Sequence, residues 1–198
     1  MVDDAYLGRP SPESRRQQIL DAACERVRQS GFHGASMADI AKAAGLSVGQ
    51  IYRYFENKEA IIAAIVEQDL AEMRDKFAEL ESQPGTLADA IDEHLPESID
   101  KCFEPGRAAL ALEVIAEAAR NPKVAAIVRS ADDQERQMAR SLMERSRRPE
   151  WSDAEFQARC EAIGLIFDGL LMRGVNHPDL DREALGKVLR STVRHLLT

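Results

Sequence analysis

The sequence predicts an all-α protein of about nine helices, with a three-helix helix-turn-helix unit towards its N-terminal end. Three observations carry this. Apolar residues recur at helical spacing along nearly the whole chain, capping residues open most of those runs, and the segment from Ser36 to Lys58 holds two very short helices separated by one Gly turn. A chain of 198 residues with 44% hydrophobic content has enough apolar material for one large core or two smaller ones.

Ser11-Pro12 reads as a cap followed by Pro at the first helical position. It opens a helix over 12–30 with one apolar stripe of Ile19, Leu20, Ala23, Cys24 and Val27, and Gly31-Phe32 ends it. Ser36 with Asp39 three residues on forms a capping-box pair for a short helix whose Ile40 and Ala44 face inward. Gly45 supplies the left-handed residue that stops this helix, and Leu46 packs back on the preceding turn. Ser47 with Gln50 caps the next helix at once, and Ile51 and Phe55, four apart, anchor it. Two helices joined through a short Gly turn form the layout whose second helix offers its N-terminal residues to base edges in the major groove.

The chemistry of that second helix suits DNA. Small Val48 and Gly49 permit close approach, and Gln50 can pair a donor and an acceptor with adenine. Tyr52, Arg53, Tyr54 and Lys58 are groups that hydrogen-bond phosphate oxygens and set register. A short helix pair with Gly is, taken alone, more often an ordinary helical hairpin with half-buried tyrosines. Both caps, the Gly-Leu turn, Tyr-x-Tyr-Phe and the following Asn-Lys-Glu together favour the DNA reading. The net charge of −8 argues the other way until the chain is divided: residues 1–58 hold eight Lys/Arg against seven Asp/Glu, so the acidity belongs to residues 59–198.

Beyond the reading element, Asn57 caps a long helix carrying Ile61, Ile62, Ile65, Leu70, Met73, Phe77 and Leu80, a natural lever between two domains. A turn at 82–85 precedes Thr86 with Asp89, another cap, and Pro96 predicts a kink or split near His94 in the helix that follows. The run over 107–120 is apolar on nearly every side except Glu113, Glu117 and Arg120, which predicts a helix buried in mid-domain. Asn121-Pro122 opens a helix to about residue 147, closed by the basic run 145–148, a solvated helix end or a second nucleic-acid patch. Ser152 with Glu155 caps the penultimate helix, and the last runs over about 181–197.

The stretch from Gly45 through Gln50, Tyr52, Tyr54 and Phe55 to Glu59, with the upstream 16–23 segment and Gly31-Phe32, resembles the signature of the tetracycline-repressor (TetR/AcrR-type) transcriptional regulators over about residues 14–65. The resemblance implies an all-helical, homodimeric regulator with a flexible arm over 1–10, a DNA-binding domain over 11–58 and an effector-binding and dimerisation domain over 59–198. By position it places Ser36, Ser47, Val48, Gly49, Gln50, Tyr52, Arg53, Tyr54 and Lys58 at operator DNA, with Tyr52, Tyr54 and Lys58 on phosphates. It implies a partly hydrophobic small-molecule effector held among His94, Ile99, Cys102, Phe103, Leu112, Glu113, Met138, Leu142, Phe167 and Met172. The last two helices would pair with their copies through Phe167, Leu171, Val188, Leu189, Val193 and Leu196, helped by Gly164, Gly169, Gly174 and Gly186. The expected activity is that of a repressor released from a palindromic operator by its effector; a DNA-binding architectural protein without an effector response is the alternative.

Cys24, Cys102 and Cys160 are scattered, giving neither a disulfide framework nor paired ligand spacing, and the four His are equally dispersed. No metal or cofactor site, phosphate loop or nucleophile motif stands out, so an enzyme is not expected. No secretion signal or apolar run of membrane-spanning length is evident, and a cytoplasmic protein is expected.

Overall fold

A computed structural model describes residues 11–198, and the expected arm over 1–10 lies outside them. The described residues form helices and no strands: α1 (Pro12–Gly34), α2 (Met37–Ala43), α3 (Val48–Ile51), α4 (Lys58–Ser82), α5 (Leu87–Cys102), α6 (Pro105–Ala118), α7 (Pro122–Glu144), α8 (Asp153–Asn176) and α9 (Arg182–Leu197). The chain divides into two compact units, Met1–Ile65 and Val66–Thr198. The division falls inside α4, seven residues past the 58/59 boundary that the sequence suggested, because Ile61, Ile62 and Ile65 in its first turns are buried with the first unit's apolar side chains.

In the first unit the caps fix the elements. Ser11 Oγ accepts from Ser14 N–H, with Pro12 beginning α1. Gly31, at φ 68 and ψ 166, interrupts α1 before a last turn that carries buried Phe32. Ile19, Leu20, Ala23 and Val27 from α1, Ile40 and Ala41 from α2, and Ile51 and Phe55 supply the rest of its buried apolar side chains.

The second unit is a helical bundle in which α5 packs on α9 and α8, α6 on α7 and α8, and α8 on α7 and α9. One apolar cluster gathers Leu80, Leu87, Leu142, Met143, Trp151, Phe156, Val193 and Leu197; another gathers Leu95, Ile99, Phe103 and Leu170. Three expectations change here. Pro96 does not split α5, which runs on to Cys102; the ring faces solvent and only one helical donor is lost. Nor is α6 buried all round, since Ile115 is 55% exposed. Its Glu117, expected on the polar side, is only 2% exposed, and its carboxylate accepts from Arg120 Nε at 2.9 Å and Asn121 Nδ2 at 3.1 Å. The apolar pattern of α6 could not show that the polar stripe turns inward where α6 meets α7.

The basic run after α7 is built into the unit. Arg145 donates to the Glu81 carbonyl, Arg147 donates to Asp153 and stacks over Phe156, and Arg148 pairs with Glu150. These partners support the helix-end reading over a second nucleic-acid patch.

Candidate nucleic-acid interface

The reading element is closed by hydrogen bonds at each end. Asp39 N–H donates to Ser36 Oγ at 3.1 Å while the Asp39 carboxylate accepts from the Ser36 hydroxyl and from Ser36 N–H, the latter at 3.1 Å, and these two bonds, the hydroxyl's foremost, hold the Asp39 carboxyl below its ordinary range. At the far end of α2, Gly45 has φ 65, Leu46 N–H bonds to the Ala41 carbonyl at 2.9 Å and Gly45 N–H to that of Lys42 at 3.2 Å, the paired pattern of a Schellman ending. Gln18 Nε2 from α1 donates to the Ala44 carbonyl at 2.7 Å, so α1 braces the turn.

The second box positions the reading turn. Gln50 N–H donates to Ser47 Oγ at 3.3 Å, and Gln50 Oε1 accepts from Ser47 N–H at 2.8 Å. Ile51 and Phe55 beneath are buried, whereas Ser36, Ser47, Val48, Gly49, Gln50, Tyr52 and Arg53 are exposed. A Cβ added at Gly49 would meet nothing within 4 Å, so the surface there is open. Two candidates sit differently from the rest. Tyr54 is half-buried, and the Lys58 ammonium lies against Phe32, donating to its carbonyl at 2.8 Å. The Gln50 acceptor is likewise already engaged, in the Ser47 cap that the spacing predicts, which leaves Nε2 as its outward group.

In the second unit the effector candidates disperse. Ile99, Cys102, Phe103 and Phe167 meet in one apolar cluster, while Leu142 belongs to the other. His94 instead joins a polar group, its Nδ1 2.9 Å from Lys76 Nζ and its Nε2 2.9 Å from Gln83 Nε2. Because an ammonium only donates, His94 Nδ1 accepts from Lys76. Leu112, Glu113 and Met138 are half-buried, and Met172 points outward at 54% exposure.

Charged residues that the sequence reading passed over come together here. Arg107 bonds Asp69 at 3.1 Å and Glu72 at 3.0 Å, and Lys101 bonds Glu72 at 2.9 Å. Surrounding protein raises the carboxyl pKa values of Asp69, Glu135 and Asp168, with Asp132 adding like charge near the latter two. All three still meet solvent. Helical spacing places such residues on a face but does not say that faces of separate helices converge.

The pairing candidates also need revision. Val193 is fully buried within the unit, and Phe167 and Leu189 pack against the Leu95–Leu170 cluster. Leu171 and Leu196 are half-buried, and of the six only Val188, at 62%, is well exposed. The outward stripe of α8 instead carries Leu165, 69% exposed, and Met172, with open positions nearby at Gly164 and Gly169. A one-residue step turns a helical side chain by about 100°, which is how an apolar pattern occupied on two sides misleads. Gly174 and Gly186 serve the protomer itself: a Cβ at Gly174 would lie 2.6 Å from the Cys102 carbonyl, and one at Gly186 3.4 Å from Ile99 Cδ1.

A capped helix pair with an exposed reading turn, attached to a helical second unit, defines a helix-turn-helix DNA-binding transcriptional regulator. Residues 19–65 match the tetR family of bacterial regulatory proteins and residues 85–198 match the C-terminal domain of BetI-type transcriptional repressors; the chain belongs to the TetR family. The regulator UidR of Escherichia coli K12 is 37% identical over 115 residues, 58% of this chain and 57% of UidR, so the match spans little more than half of that relative. The fatty acid metabolism regulator of Bacillus subtilis 168 is 35% identical over 74 residues, 37% of this chain and 38% of that protein. Among solved structures, Salmonella enterica GusR superposes with a TM-score of 0.78 at 25% identity, covering 94% of this chain and 97% of that one. Bacillus subtilis FadR in complex with stearoyl-CoA shares the fold, with a TM-score of 0.73 at 20% identity over 91% and 96% of the two chains. These relatives are regulators rather than enzymes. Among the described residues no helix is long and apolar enough to cross a membrane, and no group of His, Cys, Asp and Glu is arranged to hold a metal.

Proposed function

We propose that the chain is a repressor that binds a palindromic operator as a homodimer and is released by a small-molecule effector in the cytoplasm. The observation that carries this is the pair of closed capping boxes around an exposed Ser47–Gln50 turn, joined in one chain to a domain of BetI-type repressors. Ser47, Val48, Gly49 and Gln50 lie at base edges, with Gln50 offering Nε2 while its Oε1 holds the cap; Tyr52 and Arg53 contact phosphates. Dimerisation uses the outward face of α8 and α9, where Leu165, Met172 and Val188 expose apolar area that a second copy covers.

The effector is partly hydrophobic with a polar end. The apolar surfaces of Ile99, Phe103 and Phe167 and the charged set around Arg107 support that division, whereas stearoyl-CoA belongs to FadR. Effector and operator oppose each other through a shared equilibrium, with coupling of about 1–3 kcal/mol that acts reciprocally. A thermal-shift screen of amphipathic compounds identifies the effector, and calorimetry with free and operator-saturated protein tests the coupling. Weaker effector binding to the DNA complex is expected. Equal affinity in both titrations would favour an architectural DNA-binding protein.

A further inference from the structure

Gly31 breaks α1, and the carbonyl of Phe32 just beyond it loses its in-register helical donor, because Ser36 N–H donates to the Asp39 carboxylate instead. Lys58, the first residue of α4, donates to that carbonyl at 2.8 Å, and its ammonium also stands 4.4 Å from the centroid of the buried Phe32 ring. The same point of the chain is held from its other side, since Asn57 Oδ1 caps α4 by accepting from Ala60 N–H at 2.8 Å. Between Phe32 and Lys58 lie all of α2, the Gly45 turn and α3. The two ends of the reading element are thus stapled together by one side chain that spans 26 positions of sequence.

We infer that Lys58 is a positioning residue for DNA recognition: its ammonium, bonded to the Phe32 carbonyl and seated on the Phe32 ring, fixes the ends of the helix-turn-helix and so the pose of the Ser47–Gln50 turn. This rests on the regulator reading for its consequence on DNA, but the staple itself is testable without DNA. The role differs in kind from the phosphate contact that family resemblance implies for this position. A phosphate contact contributes to the salt dependence of binding; a staple contributes to the order of the head and acts equally at all salt concentrations.

The experiment uses the full chain, with Lys58→Met, Lys58→Arg, Phe32→Leu and the Lys58→Met/Phe32→Leu pair. Thermal unfolding of these and the wild type at fixed protein concentration gives a double-mutant cycle from wild type, Lys58→Met, Phe32→Leu and the pair. The expected result is a lowered melting temperature for each of Lys58→Met and Phe32→Leu, less than additive in the pair, with Lys58→Arg close to wild type because a guanidinium can donate to the same carbonyl and stack on the same ring. On operator DNA, Lys58→Met is expected to bind on the order of tenfold more weakly, with an unchanged slope of log affinity against log salt, and Lys58→Arg is expected to recover. A fall in that slope of about two for the dimer, about 0.9 per lost phosphate contact, with an undisturbed melting temperature, would overturn the inference. Additive melting effects in the cycle would overturn it as well, and where Lys58→Met folds poorly, Lys58→Gln takes its place in the cycle. Absence of operator binding by the wild type would instead count against the regulator reading, while the melting cycle still decides the staple.

Discussion

Gly174→Ala tests the packing of the second unit at the point where it is tightest. The added Cβ would lie 2.6 Å from the Cys102 carbonyl oxygen and 3.1 Å from Phe103 Cα, and both obstacles are backbone at the end of α5. Neither can rotate away. The α8 backbone must therefore retreat by roughly 0.5–1 Å, which forfeits a quarter to a half of the dispersion attraction along that contact. Overpacking of this kind costs about 1–3 kcal/mol, and replacing Gly inside a helix returns about 0.5–1 kcal/mol. The net loss is about 1–2 kcal/mol, a fall in melting temperature of roughly 2–8 °C for a chain of this size. Urea unfolding followed by circular dichroism and Trp151 fluorescence, at one fixed protein concentration, measures it. A variant as stable as wild type, with an unchanged denaturant slope, would refute the close approach of α8 to the end of α5.

Three further substitutions probe the remaining surfaces. Gln50→Glu keeps an acceptor for Ser47 N–H and suits the helix N-terminus, so stability should hold while operator affinity falls; competitive binding to operators altered at single positions should show about 1–3 kcal/mol of lost discrimination, and unchanged relative affinities would remove Gln50 from the base readers. Leu165→Glu with Val188→Glu should convert the dimer to a folded monomer by light scattering, because both side chains point outward; a persisting dimer would place the interface elsewhere. Glu135→Gln with Asp168→Asn addresses two carboxyls that protonate at higher pH folded than unfolded, so the folded state holds the extra protons just above the ordinary carboxylate range and these groups favour folding as pH falls into that window. Raising the pH through the window removes that contribution. The double variant should therefore melt higher than wild type at neutral pH and show a smaller relative gain on acidification, and a pH profile parallel to wild type would contradict the raised titration of these carboxyls.

The local signals in this sequence are legible wherever a side chain acts on its own backbone. Ser11, Ser36, Ser47, Thr86, Asn121 and Ser152 all cap the helices they were expected to cap, and Gly45 adopts the left-handed conformation that its turn requires. Side chains that act across helices were less legible. Val193 fits an exposed apolar stripe as well as a buried one, and only the packing of α9 on α5 shows that it is interior. Glu117 reads as solvent-facing until the α6–α7 corner brings Arg120 and Asn121 onto it. Lys58 matches a phosphate-binding position in pattern, yet it donates to the Phe32 carbonyl in the last turn of α1, a meeting of two elements 26 positions apart that spacing does not encode. Pro96 predicts a break by its usual effect in a helix, yet its ring is exposed and α5 runs on past it.

Selection from a pool of random double-stranded DNA, followed by footprinting of the winners at a stated salt concentration, tests most directly whether this chain is a dimeric operator-binding regulator. The expected result is a two-fold symmetric consensus whose half-site centres are separated by about 34 Å or a multiple of it, protected on one face of the duplex and lost on Gly49→Glu, which places a bulky negative charge on the open reading turn. Enrichment of no consensus, or of an asymmetric site bound equally well by Gly49→Glu, would contradict it.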